Sequence, residues 1–525
     1  MSFIGVRDSF RLKRLLLKEH YVFDDLDLNF CEKQDLNSNQ IFFTTLIGPN
    51  GTGKSEILKE VLLLVRSLHN RVREGKDQNR SYSFRLEFEC KGQYVCYTNY
   101  STDSIILKPE GERKRKPKSK VIVNNKEVDD LSSYNILPKS IIAQSIMLTD
   151  KYIVPRNQDE IDNFHIYRYL GLRNRPQQAS TRSYVRRTID LIVENVHTTR
   201  FQEGLIRMVR FLSLSDDIEI TYKTIHAAKF FNRHITVDIL RSYYDEMERD
   251  YKERGKQPPY KLNNFRTLDR QKDLSKLVDF VNSLDSNGRL ERIKRGSSVK
   301  KLLYNVANKD DQSFLKEEYE HLDDLRKIGL LTVPDIRVEK SKVAIQEMSS
   351  GEFHFFSTMV GLLAAVKENS LILVDEPEIS LHPNWQMKYL GFMRELFSDV
   401  SFRGSHFIIA THSHFLISDL DGDTGKIIGL TKESGNIRSM KFDSNTYGWS
   451  AEQVLLDIFK VTTTRNYMVA ERLGMLLDFI ASEESTLKEV KDKFYDLELD
   501  KLKGLSKEDP MRTVYDTIIK EFVDV

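Results

Sequence analysis

Cysteine is scarce: the 525 residues hold three, Cys31, Cys90 and Cys96. Their spacing fits no metal cluster and makes no disulfide framework, which excludes a stapled secreted scaffold and suits a reducing cytosol. Net charge is nearly absent as well. The 80 Lys and Arg stand against 78 Asp and Glu, a formal +2, which excludes a uniformly basic nucleic-acid coat but leaves room for local patches. No stretch approaches about 18 uncharged apolar residues, so no spanning helix is expected. The opening MSFIGVRDSFRLKRLLLKEH scatters charges through its apolar positions, unlike a signal peptide. The absence of a sustained heptad run excludes long coiled-coil arms, and no internal repeat points to a solenoid. What remains is 40% hydrophobic and 30% charged residues, a globular composition able to bury a sizeable core. The expectation is a cytoplasmic, multi-part protein.

Residues 21–30 (YVFDDLDLNF) alternate apolar and polar, as a half-buried strand does. Residues 41–47 (IFFTTLI) form a short β-branched apolar run that leads into GPNGTGKS, and 56–68 then carry leucines and valines at helical spacing. Strand patterns return over 81–97, 121–123 and 140–143. From 157 to 327 amphipathic helical patterns dominate, for example over 184–196 and 272–284. Strand-like segments resume near 331–345, followed by an apolar helix over 353–366, strands at 371–374 and 406–410, and a largely helical last hundred residues ending in 511–522. The fold class expected is α/β: one head with a mixed sheet, built from 1–156 and 328–440, interrupted by a helical insert (157–327) and followed by a helical tail (441–525) that meets a partner or another copy.

Two motifs carry the main chemistry. Gly48, Pro49, Asn50, Gly51, Thr52, Gly53, Lys54 and Ser55 match the phosphate-loop pattern G-x-x-x-x-G-K-[ST]. Its glycines turn backbone N–H groups inward around phosphates, Lys54 reaches the β- and γ-oxygens, and the Ser55 hydroxyl ligates Mg²⁺. Glu56 follows directly and opens the helix. The second motif, 371–376 (LILVDE), is a buried strand delivering carboxylates at its C-terminal end. Asp375 would hold Mg²⁺ and Glu376 would polarise the attacking water.

Three further places attach to this pair. Ser349, Ser350, Gly351 and Glu352 open an apolar helix 26 residues before Asp375. Alone they fit a helix cap as well as a phosphate contact. His412 follows the strand 406–410, where it would face a γ-phosphate. Gln144, ending the strand 140–143, is the candidate sensor of Mg²⁺ and γ-phosphate, with Ser145 as its rival.

GPNGTGKS, SSGE, LILVDEPEISLHP and ATHS together resemble the ABC/SMC superfamily, in particular the branch containing RecF and the overcoming-lysogenisation-defect ATPases. The resemblance implies that two heads sandwich two ATP molecules with Mg²⁺, each site joining one head's phosphate loop to the other's signature Ser349–Glu352. It also implies that Ser380 and His382 meet the partner head. Ser350 stands where a glycine is common, and Glu352 where transporters have glutamine, which argues against a transport subunit. The element Tyr169-Leu-Gly-Leu-Arg173, the insert and the tail resemble bacterial anti-phage ATPases of the Septu PtuA type, which also occur beside retrons. That resemblance implies an ATPase subunit of a defence complex, a homodimer or larger even-numbered oligomer, a separate HNH-type nuclease, and a reverse transcriptase with its nucleic acid. The rivals are a RecF-like DNA-repair ATPase that clamps DNA, and a non-hydrolysing ATP-bound scaffold that inhibits a toxic partner.

A nuclease within this chain has little room, since 113 residues follow His412. Asp419, Asp421 and Asp423 have metal-like spacing but no preceding glutamate strand, and they are expected to form a turn. Basic residues gather at the 113–120 tip (RKRKPKSK) and over 164–210. The latter holds nine arginines and three acids, a local +6. Nucleic acid, a protein partner and plain surface explain that stretch equally well.

Overall fold

The computed structural model describes residues 9–32, 40–100, 118–156, 158–175, 178–179, 181–286, 289–293, 298–338, 343–344, 348–418, 420, 424–433, 435–440, 446, 448–459, 466–481, 486–506 and 509–524. Two compact units divide the chain, Met1–Tyr447 and Gly448–Val525.

In the larger unit, strands that are apolar throughout form the centre. Phe42–Ile47, Leu371–Asp375 and His406–Thr411 are buried at every position, as parallel strands covered on both faces must be. They belong to a seven-stranded sheet ordered Asn436–Met440, Gly425–Glu433, Phe42–Ile47, His406–Thr411, Leu371–Asp375, Ile141–Ser145, Tyr167–Tyr169. All neighbours are parallel except the first pair, a hairpin. The sheet is mixed, as expected. Its hairpin lies in a stretch expected to be largely helical, and its last strand comes from within the segment read as an insert.

A second sheet of six antiparallel strands runs from Asp25–Asn29 through Phe10–Lys18, Ser83–Cys90, Gln93–Thr98 and Lys120–Val123 to Lys126–Glu127. Phe10–Lys18 was not anticipated, because basic residues interrupt its alternation. A register shift between Leu12 and Arg14 absorbs the irregularity. Helix Lys54–Glu74 packs its leucines and valines into the same core as both sheets. Of the basic tip, 113–117 lie outside the described residues, as do Asp419, Asp421 and Asp423.

The segment 157–327 is mostly helical, with helices Thr181–Asn195, Thr199–Phe211, Val237–Glu253, Tyr260–Gln271, Leu274–Ser286 and Lys309–Ile328. It also carries strands that the expectation of a helical insert left out. Ile218–Lys223 and Lys300–Asn305 pair antiparallel at the centre of a five-stranded sheet completed by Glu291–Arg292, Asp335–Val338 and Val343–Ala344. Both central strands alternate buried and partly buried positions, the period-two signal of a half-covered sheet.

The smaller unit has its own core of Leu473, Leu476, Val490, Phe494, Leu499, Tyr515, Ile518 and Val523. Helices Tyr467–Ala481, Leu487–Asp496 and Pro510–Ile518 supply most of it, and Leu499 and Val523 come from the short helical turns Leu499–Gly504 and Ile519–Val523. Among the described residues, no helix is long and apolar enough to cross a membrane.

Candidate nucleotide-binding site

The site grows from the C-terminal ends of three adjacent parallel strands, where the crevices of open α/β sheets lie. Strand Phe42–Ile47 runs into the phosphate loop, and Gly53, at φ +78°, starts the helix that follows. A Cβ at Gly53 would stand 2.6 Å from the ring of Phe23. Only glycine fits both the left-handed backbone and that close aromatic lid. Thr52 bonds back to the Pro49 carbonyl at 2.9 Å and stiffens the loop.

Lys54, buried, donates to the Gly48 carbonyl at 2.8 Å and lies 2.8 Å and 3.1 Å from the two ring nitrogens of His412. His412 Nε2 is also 3.1 Å from a Glu376 carboxylate oxygen. The shorter contact has Lys54 donating to an unprotonated Nε2, which leaves the ring proton on Nδ1 for the Gly48 carbonyl. Burial lowers His412 and keeps the ring neutral, and the Lys54 ammonium adds to that effect. Ser55 donates to Asp375 Oδ1 at 2.9 Å. The structure thus brings Lys54, Ser55, Asp375, Glu376 and His412 together.

Electrostatics follow from burial. Asp375 is pushed up to about 6, first by desolvation, with its hydrogen bond to Ser55 opposing. Glu376 is pushed up to about 9, first by burial and then by the neighbouring Glu378 carboxyl. Burial lowers Lys54, and the surrounding Glu376, Glu378 and Asp375 pull it back. Glu376 also holds a left-handed backbone (φ +50°) while its N–H bonds the Ala410 carbonyl. Non-glycine residues in that region cluster at functional sites. Paired with the Ser55 hydroxyl, the Asp375 carboxylate makes a hard-oxygen donor set that fits Mg²⁺.

Sequence reasoning missed several participants. Glu378 accepts from the backbone N–H groups of His412 at 2.7 Å and Ser413 at 3.1 Å, fixing the turn that aims the histidine. The Ser413 hydroxyl donates to Gln386 at 2.5 Å. Tyr21 is 67% exposed and bonds Glu56, with His20 against its ring at 4.1 Å and Lys59 over it at 5.5 Å. Glu56 is further held by Lys59 at 2.8 Å and Lys151 at 2.7 Å, and these contacts hold it below the usual carboxylate range against the opposing effect of burial. His20, Glu56 and Glu60 bring ligand-type atoms within 4.8 Å of one another. The two lysines already neutralise that cluster.

The other candidates are placed differently. Ser349 caps helix Ser350–Ala365: its hydroxyl accepts from the Glu352 N–H at 3.4 Å, and the Glu352 carboxylate accepts from the Ser349 N–H at 2.9 Å. The cap is therefore realised. A Cβ on Gly351 would sit 2.3 Å from the Ser380 carbonyl oxygen, so glycine is required by close approach. Ser380 and His382 are exposed, and His382 caps helix Pro383–Leu396. Gln144 is not brought to the cluster. It is in register with Val374, while Ser145 is in register with Asp375, and successive strand residues face opposite ways.

The arginine-rich stretch is largely paired inside the molecule. Arg173 meets Asp150 at 2.5 Å, and Arg187 donates to the Gly171 carbonyl at 2.5 Å. Arg200 reaches Ser401 at 3.0 Å, Arg207 the Glu395 carbonyl at 3.1 Å, and Arg210 Asp216 at 2.6 Å.

Residues 230–418 match the family described as "AAA domain, putative AbiEii toxin, Type IV TA system". The larger unit is mixed α/β around a largely parallel seven-stranded sheet. The protein ea59 of Escherichia phage lambda is 30% identical over 141 residues, 27% of this chain. Those residues span about a quarter (26%) of that relative's length. Among solved structures, an SMC head bound to the C-terminal winged-helix domain of ScpA is 12% identical, with a TM-score of 0.34 over 82% of this chain and 97% of that one. The ATP-bound recombination mediator RecF is 14% identical, with a TM-score of 0.27 over 84% of this head-containing chain and 100% of its own. An ATP-binding cassette of an ABC transporter is 10% identical, with a TM-score of 0.25 over 86% and 96%.

Proposed function

We propose that this chain is an ATP-binding and ATP-hydrolysing subunit whose heads dimerise on nucleotide, and that it gates a separate nuclease in a bacterial anti-phage defence complex. The observation that carries the ATPase part is the convergence of Lys54, Ser55, Asp375, Glu376 and His412 at the ends of adjacent strands. Ser55 and Asp375 would hold Mg²⁺, which supplies charge neutralisation to the phosphates. Lys54 leaves the Gly48 carbonyl for phosphate oxygens. Glu376, once relieved of its proton, takes a proton from the attacking water. Neutral His412 sits between Lys54 and Glu376 and accepts from Lys54 at Nε2.

Dimerisation follows from what one chain lacks. The exposed helix start at Ser349–Glu352 is a ready anion site, and together with Ser380 and His382 it is the surface a second head would complete. This supports a homodimer or larger even-numbered assembly. The defence role draws on the Tyr169–Arg173 element and the tail, on a matched family described by a toxin of a toxin–antitoxin system, and on a phage-borne relative. An HNH-type nuclease, and a reverse transcriptase in retron settings, are the partners this reading names.

The test is ATP turnover against protein concentration, alone and with the genomic neighbour co-expressed. Turnover rising more steeply than linearly, and shifted by a nuclease neighbour, is expected. Linear turnover by isolated chains would remove the dimer, and a neighbourhood of repair genes alone would remove the defence role. A second reading, a non-hydrolysing scaffold restraining a toxic partner, has one observation in its favour: burial and Glu378 hold Glu376 protonated. Tight ATP binding without turnover, with and without the partner, would select it.

A further inference from the structure

Strand Ile141–Ser145 ends in two polar side chains that serve opposite faces. Ser145 lies level with Asp375, and its hydroxyl accepts from the Met147 N–H at 3.2 Å. Gln144 faces away, fully buried, and its amide Nε2 donates to Thr358 Oγ1 at 3.0 Å. Thr358 sits in the third turn of the helix that begins at Ser350, on the side turned into the protein. Gln144 Oε1 finds no hydrogen-bond partner.

A third element reaches the same hydroxyl. Tyr184, from helix Thr181–Asn195, is buried, and its OH faces Thr358 without completing a hydrogen bond. Its ring is held edge-on to Phe353 (5.9 Å, 87°) and lies under the Arg187 guanidinium at 5.2 Å. Arg187 is anchored on the carbonyls of Leu170 at 3.2 Å and Gly171 at 2.5 Å, immediately beyond the edge strand Tyr167–Tyr169. Buried polar atoms are nearly always paired, so orphans gathered at one junction call for an explanation. Two such atoms, Gln144 Oε1 and Tyr184 OH, belong to the side chains that approach Thr358, where the strand, the helix and the insert meet.

We infer that Gln144 is a positioning residue of the helix Ser350–Ala365 rather than a metal ligand, and that Tyr184 of the inserted segment shares this task through Thr358. The phosphate-side sheet and the insert thereby act on one hydroxyl, and its pairing sets where Ser349–Glu352 points. The functional weight given to that helix start rests on the ATPase reading above.

The test uses the full chain carrying Gln144→Leu, Thr358→Val or Tyr184→Phe, with Thr358→Ser as the conservative control. Three quantities are read: amide hydrogen exchange over the helix, Mn²⁺ affinity in the presence of ATP, and kcat against KM. Gln144→Leu and Thr358→Val are expected to speed exchange over 350–358 at least fivefold and to lower kcat by a similar factor. Mn²⁺ affinity and KM should stay within twofold, and Thr358→Ser should restore both exchange and kcat. Tyr184→Phe is expected to give a smaller change in the same direction. Loss of Mn²⁺ affinity by tenfold in Gln144→Leu with Thr358→Val unaffected would make Gln144 a metal ligand and overturn the inference. Unchanged exchange in Thr358→Val would overturn it as well. If the unmodified chain turns over no ATP, the ATPase reading falls while exchange still decides the positioning role.

Discussion

The two halves of the proposed ATP site are built on contrasting plans. The phosphate-loop half has buried Lys54, Asp375 and Glu376 at its base, and its side chains already touch: Lys54 on His412, His412 on Glu376, Ser55 on Asp375. The signature half is a helix N-terminus with an exposed start whose polar groups satisfy one another through the Ser349–Glu352 cap. The first half is preorganised by adjacent parallel strands that are buried at every position. The second is content by itself and would need another head to give it a task. Such a pairing of a costly, prearranged half with an inexpensive, self-satisfied one lets assembly rather than folding decide when the site is complete.

The largest effect should come from the prearranged half. Glu376→Gln is expected to lower ATP turnover by about 10²–10⁴-fold while trapping an ATP-dependent dimer, seen by steady-state assay and by light scattering. Unchanged turnover would end the assignment of Glu376.

Next comes the other half. Gly351→Val drives a side chain into the Ser380 carbonyl and should cost about 10²-fold in kcat by misplacing the helix start, with nucleotide affinity of the isolated chain preserved. Mixing it with Lys54→Ala chains should recover part of the activity, because one composite site per mixed dimer is intact. No recovery on mixing would mean that both halves act within one chain.

A smaller effect separates the halves by stability. Asp375 has a folded-state value of about 6, above its unfolded 3.8. A raised carboxyl stabilises the fold at low pH, and that contribution is lost as pH rises through about 6. Without nucleotide, Asp375→Asn should therefore stabilise the larger unit at pH 8 by up to about 3 kcal/mol and much less at pH 5, measured by denaturant melts. Ser349→Ala, by contrast, should destabilise by about 1 kcal/mol through loss of the cap. If Ser349→Ala proved silent while Asp375→Asn destabilised, the contrast between the halves would be reversed.

Much of the phosphate-loop half was legible because its parts are local: a glycine pattern between an apolar strand and a helix, and a four-residue apolar run ending in acids. The signature was legible only as a choice between cap and ligand, since both need serine and glutamate at a helix start. Gln144 shows where reading fails. Which of two adjacent polar residues faces a site depends on register against Leu371–Asp375, and register is a property of the pair of strands. Glu378 and Gln386 were hidden for a similar reason, because their partners, His412 and Ser413, lie some 30 residues on. The strands Ile218–Lys223 and Lys300–Asn305 pair across about 80 intervening residues, and their alternation was masked by helical patterns on either side. The arginine stretch stayed open between three readings, because composition shows charge but not which carbonyls, hydroxyls and carboxylates the guanidinium groups meet.

Cys31, Cys90 and Cys96 are all buried, and burial pushes the Cys96 thiol up to about 11, far from the thiolate that reacts. The chain is therefore a nearly silent background for thiol chemistry. A single cysteine placed at the exposed Ser380 would be the one residue open to a maleimide dye, turning the face expected to meet a second head into an optical reporter of its arrival.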